Sequence, residues 1–382
     1  MITTTNLLQG VKMRAVSRPL GLACLLLASN PLYADYQLNL KPGVTSFSQG
    51  AYDIHSIVMW ICVVIGIVVY GAMTYSIVKH RKSNNPNPAQ FDDNTTIEIL
   101  WTVIPVLILI AIAIPATKVL LAMEDTSNSD MSIKVTGYQW KWHYDYVGED
   151  IGFFSNITTP KDQISNQAPK GENYLLEVDN TVVVPINKKI RFLFTSNDVI
   201  HAWWVPAFGV KKDAIPGFIN ESWASIEKPG IYRGQCAELC GANHGFMPIV
   251  VEAKTEEDYL VWLNDKKAEK VAAAASADKT WTMDELMAHG ESTYNTNCAA
   301  CHQVGGEGLP GVFPALKGSA IATGDVVKHI DVVLNGVAAT GMQAFGPQLN
   351  DADLAAIITY ERNAWGNNTG EMVQPSDVKS AR

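Results

Sequence analysis

Two long apolar runs restrict what this chain can fold into more than any other feature. Residues 54–78 read IHSIVMWICVVIGIVVYGAMTYSIV, and residues 97–121 read IEILWTVIPVLILIAIAIPATKVLL. Each has the roughly 20 apolar residues that a helix needs to cross a bilayer. Inside hydrocarbon the backbone must satisfy its own hydrogen bonds, so both are predicted as transmembrane helices, with Pro105 and Pro115 tolerated if neighbours pack against them. The connecting loop starts with Lys79, His80, Arg81 and Lys82. Positive charge at a helix end marks the cytoplasmic side, so both long flanks face outward.

The N-terminus agrees with that orientation. Lys12, Arg14 and Arg18 precede LGLACLLLAS, too short to span a membrane, and Ala34 offers a small residue for cleavage. Residues 1–34 are expected to be a signal peptide, leaving 35–123 as the N-terminal segment and membrane hairpin. Cys24 does not fit a lipidation box, because Gly21 stands three residues before it. The chain has 382 residues and a formal charge of −9, which disfavours nucleic acid as a partner.

From residue 124 to 265 the pattern changes to short alternating segments: SIKVTGYQWKWHYDY, NYLLEV, TVVVPIN, KIRFLFTS, VIHAWWV, ESWASIE, GIYRGQC and MPIVVEA. Each reads as a strand bounded by turn residues, and together they predict an all-β sandwich or barrel. Its loops carry the chemistry. QCAELCGANHGFM holds Cys236, Cys240, His244 and Met247, and His201 lies in an apolar strand beside Trp203 and Trp204. A Cys236–Cys240 disulfide would leave His244 and Met247 without a role. Zinc bound by Cys236, Cys240, His244 and His201 is a real competitor. Methionine suits copper better, and two thiolates from one loop can bridge two copper ions, with one histidine capping each.

These residues also carry a resemblance. HAWWVPAFGVKKDAIPG followed by QCAELCGANHGFMPIVV resembles the dinuclear copper (CuA) domain of cytochrome c oxidase subunit II. The likeness extends over most of residues 50–253 and implies a cupredoxin fold. It implies that Cys236 and Cys240 bridge the coppers, that His201, His244 and Met247 complete the set, and that the Glu238 carbonyl is a further ligand. The Glu238 side chain is expected to bind magnesium against subunit I. In GYQWKWHYDY the resemblance assigns electron acceptance to Trp140, although Tyr138 and Lys141 stand where many members have histidine and tyrosine. Glu98 aligns with the glutamate that feeds a proton channel of subunit I; a carboxylate snorkelling to the interface is the plainer alternative.

Residues 266–280 are alanine-rich and read as a linker, flexible or partly helical. Beyond it Cys298, Cys301 and His302 form C-x-x-C-H, the signature of covalent c-type haem, with His302 as an axial ligand. Met342 is the natural second axial ligand. Asp351 begins an amphipathic helix expected to close the pocket, and His329 is assigned to the surface of its own helix. Residues 281–366 resemble a small class I cytochrome c, with Gln343 replacing the proline often found after the ligand; 367–382 read as a polar tail.

The expected protein is therefore a two-helix membrane hairpin, an all-β cupredoxin and an all-α cytochrome c domain in one chain. The resemblance implies subunit II of a haem–copper oxidase in a bacterial inner membrane, with its C-terminal domains periplasmic and membrane lipid around its helices. Subunit I, where oxygen is reduced with proton pumping, and other oxidase subunits are the expected partners, with a soluble or membrane cytochrome c as donor. A nitric oxide reductase using the same copper module, or a free-standing anchored redox protein, are the alternatives.

Overall fold

The computed structural model of the chain describes residues 39–276, 279–338 and 340–382. The expected signal peptide, with Cys24, lies outside the described residues. Helix α1 (Ser46–Lys79) and helix α2 (Thr95–Glu124) form the hairpin. Both outrun their apolar cores because polar caps extend them. The Thr45 hydroxyl accepts from the Ser48 amide while the Ser48 hydroxyl accepts from the Thr45 amide, and the Asn94 carboxamide accepts from Ile97. Among the described residues nothing buries the apolar stretches of these two helices, as expected of surfaces that face lipid.

The outer ends of the hairpin are fastened to the soluble part. The Thr45 hydroxyl donates to the Phe208 carbonyl at 2.9 Å, and the Phe47 and Trp223 rings meet edge-on with centroids 5.1 Å apart. The Trp223 indole donates to the Ala122 carbonyl near the end of α2. The start of α1 and the end of α2 thus meet one domain, and the 80–94 loop lies at the other end of the hairpin.

That domain is a sandwich of ten strands: β1 (Met131–Tyr138), β2 (Lys141–Tyr146), β3 (Ile151–Ser155), β4 (Val182–Pro185), β5 (Ile190–Ser196), β6 (His201–Val205), β7 (Val210–Ala214), β8 (Asn220–Ala224), β9 (Gly230–Cys236) and β10 (Pro248–Lys254). One sheet runs β3-β2-β1-β5-β8 and the other β4-β10-β9-β6-β7. The pairs β1–β5 and β4–β10 are parallel. Strand β5 alternates strictly, burying Ile190, Phe192, Phe194 and Ser196, and Phe192 stacks on Trp203 of the facing sheet at 5.1 Å.

The aromatic segment expected as one strand is two, β1 and β2, turned at Gln139–Trp140. Alternation continues unbroken through a two-residue hairpin loop, so the pattern alone does not reveal the turn. NYLLEV is not a strand: Leu175 has φ of +60°, which breaks a ladder, and only Val178 bridges to Ile157. Strands β3 and β7 were not expected: β7 carries Lys211, Lys212 and Asp213 between its ends, and β3 contains Gly152, so neither shows an apolar strand pattern.

Helix α3 (Glu256–Ser276) packs Tyr259 and Leu263 into the sandwich core and runs on through the alanine-rich stretch, since alanine favours helix strongly. The C-terminal domain follows as α4 (Met283–Asn297), α5 (Val326–Asn335), α6 (Asp351–Asn363) and α7 (Pro375–Ala381), with one-turn helices at Ala299–His302 and Ala320–Thr323. Helices α4 and α6 cross at Gly290, where a Cβ would stand 2.2 Å from the Ala356 carbonyl oxygen.

Two expectations are corrected here. His329 is not on the surface: it is 1 % exposed, and its Nε2 lies 2.8 Å from the Glu361 carboxylate, itself buried. It shares the face of α5 with Ile330 and Val333, a periodicity that residue type alone hides. The polar tail folds back as well. Val373 and Val378 are buried, and Val373 exchanges hydrogen bonds with the Thr359 hydroxyl. Pro42–Arg382 form one compact unit.

Candidate metal centre and haem-binding segment

Strands β6 and β9 pair so that Trp203 faces Cys236, which places His201 at the start of one strand beside Cys236 at the end of the other. The loop after β9 curls back to bring Cys240 inward, and a short turn at His244–Phe246 delivers Met247 to the head of β10. The ligand atoms of His201, Cys236 and Cys240 all lie within 4.8 Å of one another, and all three residues are buried. The Cys236 sulfur is 3.9 Å from His201 Nδ1, 3.8 Å from the Cys240 sulfur and 3.3 Å from the Glu238 carbonyl. The Cys240 sulfur is 3.5 Å from both His244 Nδ1 and the Met247 sulfur. Both cysteines are free thiols, so the disulfide reading fails.

The scaffold sets the orientation of each donor. Asp198 holds His201 Nε2 at 2.8 Å, leaving Nδ1 to face the sulfurs. Gly137 makes room for that ring, since a Cβ there would stand 2.6 Å from His201 Cδ2. The indole of Trp142 packs edge-on to the same imidazole at 5.8 Å and donates to the Met247 carbonyl. Trp140, half-buried, and the Gln139 carboxamide both donate to the Cys240 carbonyl, at 3.1 and 2.8 Å.

The electrostatics suit a cation. The hydrogen bond from Cys240 draws Cys236 well below the ordinary thiol range, with His201 adding to it and burial opposing it. Cys240 is pushed up, first by that same bond and then by burial. For His201, burial opposes the charged ring, yet Asp198 and Cys236 outweigh it and raise the pKa. The opposed shifts favour a thiolate at Cys236 beside a neutral Cys240, and binding of a soft cation would displace the remaining proton. Two thiols, two imidazoles, a thioether and a carbonyl exceed the four donors of a closed zinc site; the buried Met247 sulfur in particular suits copper.

In the C-terminal domain, Cys298 is buried in a cluster with Tyr294, Ala299, Ile357 and Tyr360. Burial, then the Glu361 carboxylate, holds it as a neutral thiol. His302 Nδ1 lies 2.8 Å from the Pro314 carbonyl, which fixes the ring and leaves Nε2 free. That arrangement fits an axial ligand. Met342 packs against the neighbouring cluster of Leu286, Ile330, Val333 and Leu334, and Leu349 touches both clusters.

Glu98 lies in the first turn of α2, at the far end of the hairpin from these groups. Asp198, Gln139 and Trp142 are the residues that the sequence reading missed. Asp198 carried a usable signal, an acid three residues before a strand histidine; the other two were hidden among packed aromatics.

The chain matches three family profiles: cytochrome c oxidase subunit II, periplasmic domain, over 131–254; its transmembrane domain over 34–119; and cytochrome c oxidase, cbb3-type, subunit III over 285–360. It is 39 % identical over 251 residues to a probable cytochrome c oxidase subunit 2 of Rickettsia felis, covering 65 % of this chain and 78 % of that protein. To the corresponding protein of Rickettsia bellii it is 40 % identical over 252 residues, covering 66 % and 91 %. Among solved structures, the periplasmic domain of subunit II of cytochrome oxidase of Bradyrhizobium japonicum is 42 % identical with a TM-score of 0.34, covering 38 % of this chain and 98 % of that one. The family implies copper in the sandwich and haem c in the C-terminal domain. The chain belongs to the cytochrome c oxidase subunit II family, a component of the haem–copper oxidase, and carries a cytochrome c domain fused behind its periplasmic cupredoxin.

Proposed function

We propose that His201, Cys236, Cys240, His244 and Met247, with the Glu238 carbonyl, hold a dinuclear copper centre. Cys298 and Cys301 would hold a covalent haem, with His302 and Met342 supplying ligands to its iron. When bound, these groups supply one-electron transfer toward subunit I, the oxygen-reducing partner in the family. The protein's own residues orient and insulate. Asp198 fixes the His201 tautomer, the Trp142 and Trp203 layer excludes water, and the Pro314 carbonyl fixes His302.

Trp140, bonded to the Cys240 carbonyl, is the electron acceptor next to the copper residues. Glu98 serves a proton channel of subunit I, and the exposed side chain of Glu238 is the group offered to magnesium there. The domains form with residues 35–123 as the membrane segment, 124–265 as the cupredoxin and 281–366 as the cytochrome. The protein sits in a bacterial inner membrane among other oxidase subunits and lipid, with its soluble domains periplasmic and a cytochrome c as external donor.

One observation carries the reading: three sulfurs and two imidazoles converge around Cys240, with His201, Cys236 and Cys240 donors within 4.8 Å. The test is Cys236→Ser. It is expected to abolish near-infrared absorption from mixed-valence copper while leaving the c-type haem spectrum intact. Retention of two coppers per chain in the variant, or zinc in the purified native protein, would refute it.

A further inference from the structure

Lys141 stands where the family often has tyrosine, and Gln343 where a proline often follows the haem methionine. The fold brings both of these departures to one interface. Lys141 opens β2 and is only 5 % exposed. Its ammonium lies over the Phe154 ring of the cupredoxin at 4.4 Å and 5.3 Å from the Phe345 ring of the cytochrome domain. It donates to the Asn297 carboxamide oxygen at 3.2 Å, and Asn297 ends α4 immediately before Cys298. Gln343 donates from Nε2 to the Gln139 carbonyl at 3.0 Å and to Asp198 Oδ2 at 3.2 Å. Gln348 donates to the Gln343 oxygen at 3.3 Å, which sets that amide.

These contacts converge on one carboxylate. Asp198 Oδ1 holds His201 Nε2 at 2.8 Å, while Oδ2 accepts from the Gln139 amide at 2.7 Å and from Gln343. A hydrogen-bonded chain therefore runs from the residue after Met342 to the buried histidine of the copper site. A loosely tethered domain would leave such a lysine in water, because burying an ammonium without partners is costly. Here two aromatic faces and an amide oxygen surround it, a pairing that gains strength when water is excluded.

We propose that the cytochrome domain docks in one fixed pose on the β1–β2 turn of the cupredoxin, with Lys141 and Gln343 as its docking residues and Asp198 as the shared bridge to His201. The inference deepens the proposed function and rests on it for the identity of the two centres. The residues on both sides of Trp140 are held by the chain's own cytochrome domain. An external cytochrome accordingly does not dock on that turn and delivers its electron to the fused domain instead.

The test uses the full chain in its holo complex and two variants, one on each side of the interface. Gln343→Glu sets a carboxylate against Asp198, and Lys141→Glu reverses the buried charge without altering the cytochrome domain. In both, backbone hydrogen exchange across 139–143 and 341–346 is expected to rise, and flash-initiated transfer from haem to copper to slow, each by about tenfold or more as docking reverts to tethered encounter. Copper content and the haem spectrum should stay native. If either variant keeps wild-type exchange and wild-type transfer, the docking proposal is overturned. Absence of copper or c-type haem from the native chain would instead bring down the functional reading, and the exchange measurement would still decide the docking.

Discussion

Asp198 illustrates how one side chain can govern a centre without belonging to its donor set. It fixes which imidazole nitrogen of His201 faces the sulfurs, and outer partners of this kind are worth about 10–100-fold in metal affinity. Asp198→Ala should therefore weaken copper binding in that range, read by competition with a chelator, while the fold persists. Met342→Ala should open the haem iron to carbon monoxide; an unchanged low-spin spectrum would remove Met342 as a ligand. Trp140→Phe deletes one of the two donors to the Cys240 carbonyl and should slow electron uptake without loss of metal. The convergence of Cys236, Cys240, His244 and Met247 was legible in the sequence, because all four crowd one loop. Asp198 left a fainter trace, its place three residues before a strand histidine, since a carboxylate acting through a neighbour belongs to no ligand motif.

At the scale of elements, length and continuity decided what could be read in advance. The membrane helices were plain because each apolar run exceeds any ordinary core segment. The β1–β2 turn was hidden because alternation passes through a two-residue loop without a break. The refolded tail was hidden because Val373 and Val378 are isolated anchors in a polar stretch. The α4–α6 crossing allows a sharp expectation. Gly290→Ala places a methyl against the Ala356 carbonyl oxygen, which neither helix can vacate without parting the α4–α6 contact. Overpacking of this sort costs about 1–3 kcal/mol. It should lower the melting temperature of the C-terminal domain, followed through its Soret band, and leave the copper spectrum untouched.

For the whole molecule, Lys141 makes the association of the two soluble domains depend on pH. Burial lowers its pKa to about 8 from the model-compound value of 10.5. The aromatic faces and the Asn297 oxygen offset only part of the cost of burying the charge, so a solvated, undocked Lys141 binds its proton more tightly and docking strengthens as pH rises above about 8. Protection at 139–143, taken relative to the intrinsic exchange rate at each pH, should accordingly rise across that window in the native chain and stay flat in Lys141→Met.

The helix that leaves the cupredoxin sets a limit on range. Tyr259, Leu263 and Trp262 seat α3 on the sandwich, and Ser276 ends it only six residues (277–282) before α4 begins at Met283. So short a leash, even pulled straight, extends about 25 Å. The cytochrome module can serve the oxidase it is joined to and no neighbouring one. Whatever donor reduces it, each cytochrome module is thereby confined to the cupredoxin of its own chain.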